Sequence, residues 1–119
     1  MDEDARRLRE QPVQDVVAHG RSVVVRLAGE LDLYNAPMIR EALLAALETQ
    51  PDRIVIDLHE VAFVDSTALG VLLETRSRLE QRDNFVLAAP GAETRRTLQV
   101  SGLDRQLAVA DSVDAALAG

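Results

Sequence analysis

The sequence contains no cysteine and no lysine, and only 3% of its 119 residues are aromatic. Without cysteine there is no disulfide framework, no zinc-thiolate site and no thiol nucleophile. All 13 basic residues are arginine, so mechanisms that need a lysine amine, such as Schiff bases and the phosphate-binding lysine of a P-loop, are excluded. Because aromatics are so scarce, the core must be built from aliphatic side chains.

Positive charge and long apolar stretches are also scarce. The 13 arginines stand against 20 acidic residues, a net charge of -7, and a nucleic-acid partner is not expected because phosphate binding needs a basic surface. No apolar run approaches the ~18 residues of a membrane span, and the charged start MDEDARRLRE lacks the apolar stretch of a signal peptide. We therefore expect a cytoplasmic protein that does not contact a membrane.

The chain length and an apolar content of 47% fit a single globular domain. Residues 1–12 are rich in charge and contain one leucine, too little apolar surface to offset the entropy lost on ordering. We therefore expect a mobile N-terminal arm over 1–12 and one folded domain over 13–119.

The pattern of apolar residues predicts the element order ββαβαβαβα. Val-rich segments on either side of Gly20 indicate a hairpin, whose second strand is expected to end at Gly29. Asn35 followed by Pro37 marks a helix start, with the Asn35 side chain as its cap. The remaining predicted elements are strands at 53–58, 85–89 and 106–109 and helices at about 36–50, 66–82, 92–100 and 112–118. This alternation predicts an α/β fold, a mixed and mostly parallel sheet covered by about four helices.

The strongest polar cluster is Asp65-Ser66-Thr67, which lies between a strand and an amphipathic helix. Asp, Ser and Thr are all good N-caps, and capping is the interpretation that the residues alone favour. A second interpretation is compatible with it. Free backbone N–H groups and the helix dipole at such a position favour negative charge, so the fold tolerates a phosphate there. Ser66 and Thr67 are therefore candidate phospho-acceptors.

Two other clusters offer weaker chemistry. Glu30 and Asp32 could act as an acid/base pair or bind a metal, although two acids so spaced are more typical of a solvated surface. Asp57, His59 and Ser66 supply the residue types of a hydrolase triad, but the G-x-S-x-G elbow is absent. Asp57 also stands where a receiver domain has its phospho-accepting aspartate, but such a site needs a lysine. We predict no catalytic residue, no metal site and no cofactor.

Three segments carry a family resemblance: LAGELDLYNAP, IVIDLHEVAFVDSTALGVLL and SGL at 101–103. Together they resemble the STAS domain, and specifically the free-standing bacterial anti-sigma-factor antagonists. The resemblance covers roughly residues 13–118. GELD comes first and DSTALG follows about 33 residues later, and this ordered pair is far more specific than either motif alone. The resemblance implies a STAS-like fold in a single domain.

The resemblance also implies roles for individual residues. Ser66 falls where the family carries the serine that its partner kinase phosphorylates, with Thr67 as a secondary candidate. Asp32 matches an acidic loop position associated with kinase recognition, and Ala68 stands where glycine is common. The expected partner-binding surface comprises Asp32, Asp65, Ser66, Thr67, Ala68 and Val71, with Ala68 and Val71 as small or apolar residues on the exposed side of the helix.

The function that the resemblance implies is partner switching. The unphosphorylated antagonist binds an anti-sigma factor, usually a serine-protein kinase, and so releases the sigma factor; phosphorylation ends that binding and a serine phosphatase restores it. We expect a monomer without enzymatic activity. The alternative is a non-catalytic STAS interaction subunit of a larger assembly, a stressosome or a transporter-associated scaffold. A small hydrolase that uses Ser66 is a third, weaker hypothesis.

Overall fold

A computed structural model describes residues 11–119. In this range the chain forms five strands and four α-helices, in the order that the sequence predicts. Their bounds are β1 Val13–His19, β2 Ser22–Leu31, α1 Ala36–Glu48, β3 Arg53–Val64, α2 Ser66–Ser77, β4 Phe85–Ala88, α3 Ala92–Ser101, β5 Ala108–Ala110 and α4 Val113–Ala118. Most of the predicted arm, residues 1–10, lies outside the described range. Pro12 is buried, and its carbonyl accepts a hydrogen bond from the Ala28 amide at 2.9 Å.

The five strands form one mixed sheet in the order β1-β2-β3-β4-β5. β1 and β2 are antiparallel and form the predicted hairpin, with Gly20 at φ +60° in its turn. The other three neighbouring pairs are parallel. The prediction of a mixed, mostly parallel sheet is therefore confirmed, and the carboxyl ends of β2 to β5 meet at one edge of the sheet.

The strands β2 and β3 run further than the sequence predicts. β2 continues to Leu31 rather than ending at Gly29, and β3 continues to Val64 rather than ending at Leu58. The register between these strands shifts twice, once beside Gly29, whose φ is +82°. Such bulges interrupt the alternation of apolar and polar side chains. The polar residues after Leu58 therefore resemble a loop in the sequence although they continue the strand.

Alternating strand positions build two cores, one on each face of the sheet. On one face α1, α2 and α3 cover Leu27, Ile56 and Leu87, all of them fully buried. On the opposite face α4 packs over a smaller cluster that contains Val55 and Val86. As the composition predicts, both cores are almost entirely aliphatic. Helices thus cover the faces of the sheet, while the loops that follow β2 and β3 lie at its edge.

α3 ends and α4 begins at well-defined caps, whereas α2 is shorter than the sequence predicts. Gly102 adopts the left-handed conformation at φ +77° after α3, and the Ser112 hydroxyl accepts the Ala115 amide at 3.0 Å. α2 ends at Ser77 instead of near Arg82, and a separate 3-10 helix over Arg82–Asn84 leads into β4. Leu79 packs on the core from this connection, so a leucine beyond the end of α2 is still partly buried. No helix among residues 11–119 is both long and apolar enough to cross a membrane.

An ion pair on the surface ties α1 to α2. The Arg40 guanidinium donates to both carboxylate oxygens of Glu74, at 2.8 and 3.1 Å, and Arg78 lies 3.4 Å from the same carboxylate. Hydrogen bonding from Arg40 lowers the pKa of the Glu74 carboxyl below its ordinary value. The groups are exposed enough for salt to screen the interaction.

We expect Glu74→Gln to lower stability at neutral pH by an amount that shrinks with added salt. Because the folded pKa of Glu74 lies below its unfolded pKa, its contribution is fully present above the unfolded pKa and is lost as pH falls through the folded pKa. Urea unfolding from pH 7 to pH 3 therefore shows the two proteins converging on the acid side. Exposed Glu80, which forms no ion pair within residues 11–119, provides the control Glu80→Gln. A gap that stays constant with pH contradicts this account.

Candidate functional site

The candidate site lies where β2 and β3 end beside each other. Leu31 and Val64 are register partners, and the Asp65 amide donates to the Leu31 carbonyl at 2.9 Å. The loop over residues 32–35, which leads into α1, and the start of α2 are therefore neighbours. Loops at the carboxyl ends of parallel strands commonly carry function in α/β folds.

Asp65 connects the two segments through its side chain. One carboxylate oxygen accepts the Ala68 amide at 2.9 Å and so caps α2. The other accepts the Leu33 amide at 3.1 Å, across from the neighbouring loop. The capping interpretation is confirmed for Asp65. Its second hydrogen bond, which the sequence does not reveal, holds the loop over 32–35 against the start of α2.

Ser66 and Thr67 occupy the first two positions of α2, because Asp65 takes the capping role. Both residues are exposed. Neither their hydroxyls nor their backbone amides form a hydrogen bond with any part of residues 11–119. A phosphate on either hydroxyl therefore displaces no internal contact, and it lies beside free N–H groups at the positive end of the helix dipole.

The loop over 32–35 is held by side chains that bond to its own backbone. One Asp32 oxygen accepts the amides of Tyr34 and Asn35 at 3.0 and 3.2 Å. The buried Asn35 side chain accepts the Asp32 amide at 2.9 Å and donates to the Glu30 carbonyl at 2.7 Å. The prediction that Asn35 caps α1 with its side chain is therefore wrong, since that side chain turns back into the loop. Asp32 is half-buried and structurally engaged, not simply a solvated carboxylate.

The position of Ala68 differs from the expected partner-binding surface. It is fully buried, so the prediction that its side chain faces a partner is wrong. With Asp65 as the cap, position 68 faces the sheet, and it shares the buried side of the helix with Leu69 and Leu72. Val71 is half-buried and packs against the core, whereas Gly70 is exposed on the same turn.

The weaker clusters do not assemble into a reactive arrangement. No group of three or more His, Asp or Glu residues within 11–119 is placed to hold a metal ion. Asp57 accepts the backbone amide of His59 at 3.0 Å, and no hydrogen bond in the described chain links the His59 side chain to Ser66. Glu30 is exposed, and its register partner is Phe63.

Arg26, the arginine on β2 nearest to Glu30 and Asp32 in the chain, already forms ion pairs elsewhere. Arg26 donates to Asp15 at 2.9 Å and also pairs with Glu60, so that one side chain joins β1, β2 and β3. Hydrogen bonds from Arg26 to these two carboxylates raise the pKa of Arg26 above its ordinary value. Arg26 therefore does not neutralise the acidic loops at the candidate site.

Sequence reasoning missed a set of exposed apolar side chains at this end of the molecule. They are Leu33, Tyr34, Met38 and Phe63. The available signal was the position of two of the three aromatic residues beside the polar motifs. A groove of about 1080 Å³ lies at the opposite end, where Leu47, Pro51 and Leu79 line it, and it includes none of the predicted site residues.

Comparison with known proteins identifies the family. The STAS domain family matches residues 13–116. The anti-sigma-F factor antagonist RsfB of Mycobacterium tuberculosis is 33% identical over 104 residues, 87% of this chain and 85% of RsfB.

Solved structures show the same relationship. An anti-sigma factor antagonist from Mycobacterium paratuberculosis superposes with a TM-score of 0.81 and 34% identity, over 87% of this chain and 89% of that one. The phosphorylated form of the Bacillus cell fate determinant SpoIIAA gives a TM-score of 0.61 at 28% identity, over 80% of this chain and 88% of that one. The chain therefore belongs to the STAS domain family and groups with its anti-sigma-factor antagonists.

Proposed function

We propose that this protein is an anti-sigma-factor antagonist that works by partner switching. The unphosphorylated form binds an anti-sigma factor that is also a serine-protein kinase, and the sigma factor is released. Phosphorylation of Ser66 ends the binding, and a serine phosphatase restores it. The observation that carries this proposal is the exposed, unbonded Ser66 hydroxyl at the start of α2 in a chain that groups with such antagonists.

The chemistry around Ser66 supports a role as substrate and not as catalyst. A kinase needs an accessible hydroxyl, and Ser66 offers one without breaking an internal hydrogen bond. No side chain of residues 11–119 forms a hydrogen bond with that hydroxyl, and the neighbouring Asp65 carboxylate is held by two amides. We propose that the kinase supplies all of the phosphoryl-transfer chemistry and that the protein acts as a cytoplasmic monomer without a cofactor.

The partner-binding surface on this proposal comprises Asp32, Asp65, Ser66, Thr67 and the exposed side of α2 around Gly70 and Val71. Ala68 contributes through its packing beneath this surface, since its side chain is buried. Thr67 is equally exposed and is the secondary phospho-acceptor. Asp32 keeps one carboxylate oxygen outside the two hydrogen bonds that hold the loop, and a carboxylate there suits an arginine or lysine of the kinase.

The phosphate acts at the interface and not on the fold. Within the chain, about -1.5 to -2 added charges at a helix N-terminus are favourable. Within the complex, a dianion beside Asp65 must be desolvated, and an unpaired buried charge costs about 2 to 5 kcal/mol. That cost corresponds to roughly 30-fold to several-thousand-fold weaker binding. Partner affinity therefore changes far more than stability does.

Ser66 is expected to be the main acceptor. After incubation with ATP and the anti-sigma kinase that the wild-type protein captures from native lysate, mass spectrometry should find the phosphate on Ser66. Ser66→Ala should abolish labelling yet keep kinase binding, while the matched variant Thr67→Ala should be labelled normally. Full labelling of Ser66→Ala at Thr67 contradicts the assignment and moves the acceptor by one residue.

Phosphorylated protein is expected to keep its melting temperature within a few degrees of the unphosphorylated form and to lose at least tenfold in affinity for the anti-sigma factor. Thermal melts and titration calorimetry on the two forms measure these quantities. A large drop in melting temperature indicates instead that the phosphate disorders the start of α2. Equal affinity places Ser66 outside the interface.

Two substitutions at Asp32 separate its structural and recognition roles. Asp32→Ala removes the acceptor of two amides and is expected to cost about 1 kcal/mol of stability, as the loss of a helix cap does. Asp32→Asn keeps an oxygen acceptor and loses only the charge, so it should stay near wild-type stability and still be phosphorylated more slowly. Urea unfolding and initial phosphorylation rates test both variants. An unchanged rate for Asp32→Asn removes the carboxylate from kinase recognition.

A further inference from the structure

The chain places two of its three aromatic residues on the surface at one end. Tyr34 is 85% exposed and Phe63 is 45% exposed, whereas Phe85 is fully buried in the core. An aliphatic core has space for aromatic side chains, as Phe85 shows. The exposure of Tyr34 and Phe63 is therefore not explained by a lack of space in the core.

Leu33 and Met38 lie beside these aromatics along the chain and are also exposed. We call Leu33, Tyr34, Met38 and Phe63 the apolar rim, since they lie in the segments where β2 and β3 end and α1 begins. Scattered surface apolar residues are normal in monomeric proteins, but a group of them at one site indicates an interaction surface. The remaining large exposed apolar residues of the described chain are Val16, Val17 and Val100, on β1 and α3.

Hydrogen bonds hold the backbone of the loop that carries Leu33 and Tyr34, although the two side chains are exposed. The backbone amide of Leu33 is bonded to Asp65, and that of Tyr34 is bonded to Asp32. The buried Asn35 side chain holds the loop through two further hydrogen bonds. Binding through this loop therefore loses little backbone entropy, which is the advantage of a preorganised contact surface.

The charges around the apolar rim are of one sign. Glu30, Asp32 and Asp65 lie in the same two segments, and the nearest arginines on β2 and α1 are already paired, Arg26 with Asp15 and Glu60 and Arg40 with Glu74. A complementary surface therefore has an apolar pocket at its centre and arginine or lysine at its edge. Tyrosine is one of the residue types most often found as an energetic anchor in such arrangements.

We propose that Tyr34 is the anchor through which the anti-sigma factor docks on this protein, with the rest of the apolar rim packed around it. The inference rests on the proposed function and deepens it. Ser66 and Tyr34 then have separate roles. Tyr34 supplies affinity for the anti-sigma factor in the unphosphorylated state, and the phosphate on Ser66 removes that affinity. The partner contributes an apolar pocket for the ring and basic side chains for the acidic loop.

The test measures binding to the anti-sigma factor that the wild-type protein captures from native lysate without ATP, after that factor has been identified and purified. We expect Tyr34→Ala to bind it at least tenfold more weakly, a loss of about 1.4 kcal/mol. The melting temperature should not change, since the ring is in solvent. Tyr34→Phe should keep most of the affinity, and Val100→Ala, which removes an 80% exposed side chain from α3, should keep all of it.

Each outcome decides a separate point. If the wild-type protein binds the factor and Tyr34→Ala binds equally well, the anchor is wrong and the proposed function stands. An equal loss in Val100→Ala also overturns the anchor, because the effect is then not specific to this surface. If the wild-type protein binds no anti-sigma factor and Ser66 is not labelled, the proposed function fails and the anchor fails with it.

Discussion

The Asp65 carboxylate is the constraint on which the candidate site depends. Its two oxygens accept amides from two different segments, Ala68 within its own helix and Leu33 in the loop after β2. The first hydrogen bond sets where α2 begins, and this in turn leaves Ser66 exposed and turns Ala68 inward. The second holds the loop that presents Tyr34. One side chain therefore links the position of the Ser66 hydroxyl to that of the loop that carries Leu33 and Tyr34.

The site is assembled almost entirely from side chains that bond to backbone. Asp32, Asn35 and Asp65 each accept amides, and together they leave the two short segments with little freedom to move. Such a surface suits a protein that is recognised and modified by others, because its shape is set before the partner arrives. On the proposed function, the kinase and the phosphatase supply the chemistry that changes its state.

Local pattern sufficed to predict the element order, the hairpin turn at Gly20 and the aliphatic core, since these follow from apolar periodicity and glycine conformation. It did not suffice for the continuation of β3 beyond Leu58, because a bulge changes which residues face inward. The side-chain direction of Asn35 and the burial of Ala68 could not be predicted either, because both depend on contacts with neighbouring segments. The sequence identified Asn35 as a helix start but not the direction of its side chain, and it identified the Asp65 cluster but not that the same cap buries Ala68.

The shared carboxylate of Asp65 also has a consequence for local opening. Backbone amides exchange with solvent hydrogen when their bonds open, and groups held by one element open together. The Leu33 and Ala68 amides depend on the same side chain, whereas the Ser66 and Thr67 amides in the first turn of α2 form no hydrogen bond within residues 11–119. On the proposed function, a kinase that pulls the start of α2 into its active site therefore also loosens the loop over 32–35. Conversely, a partner that binds the loop over 32–35 makes the start of α2 harder to unwind.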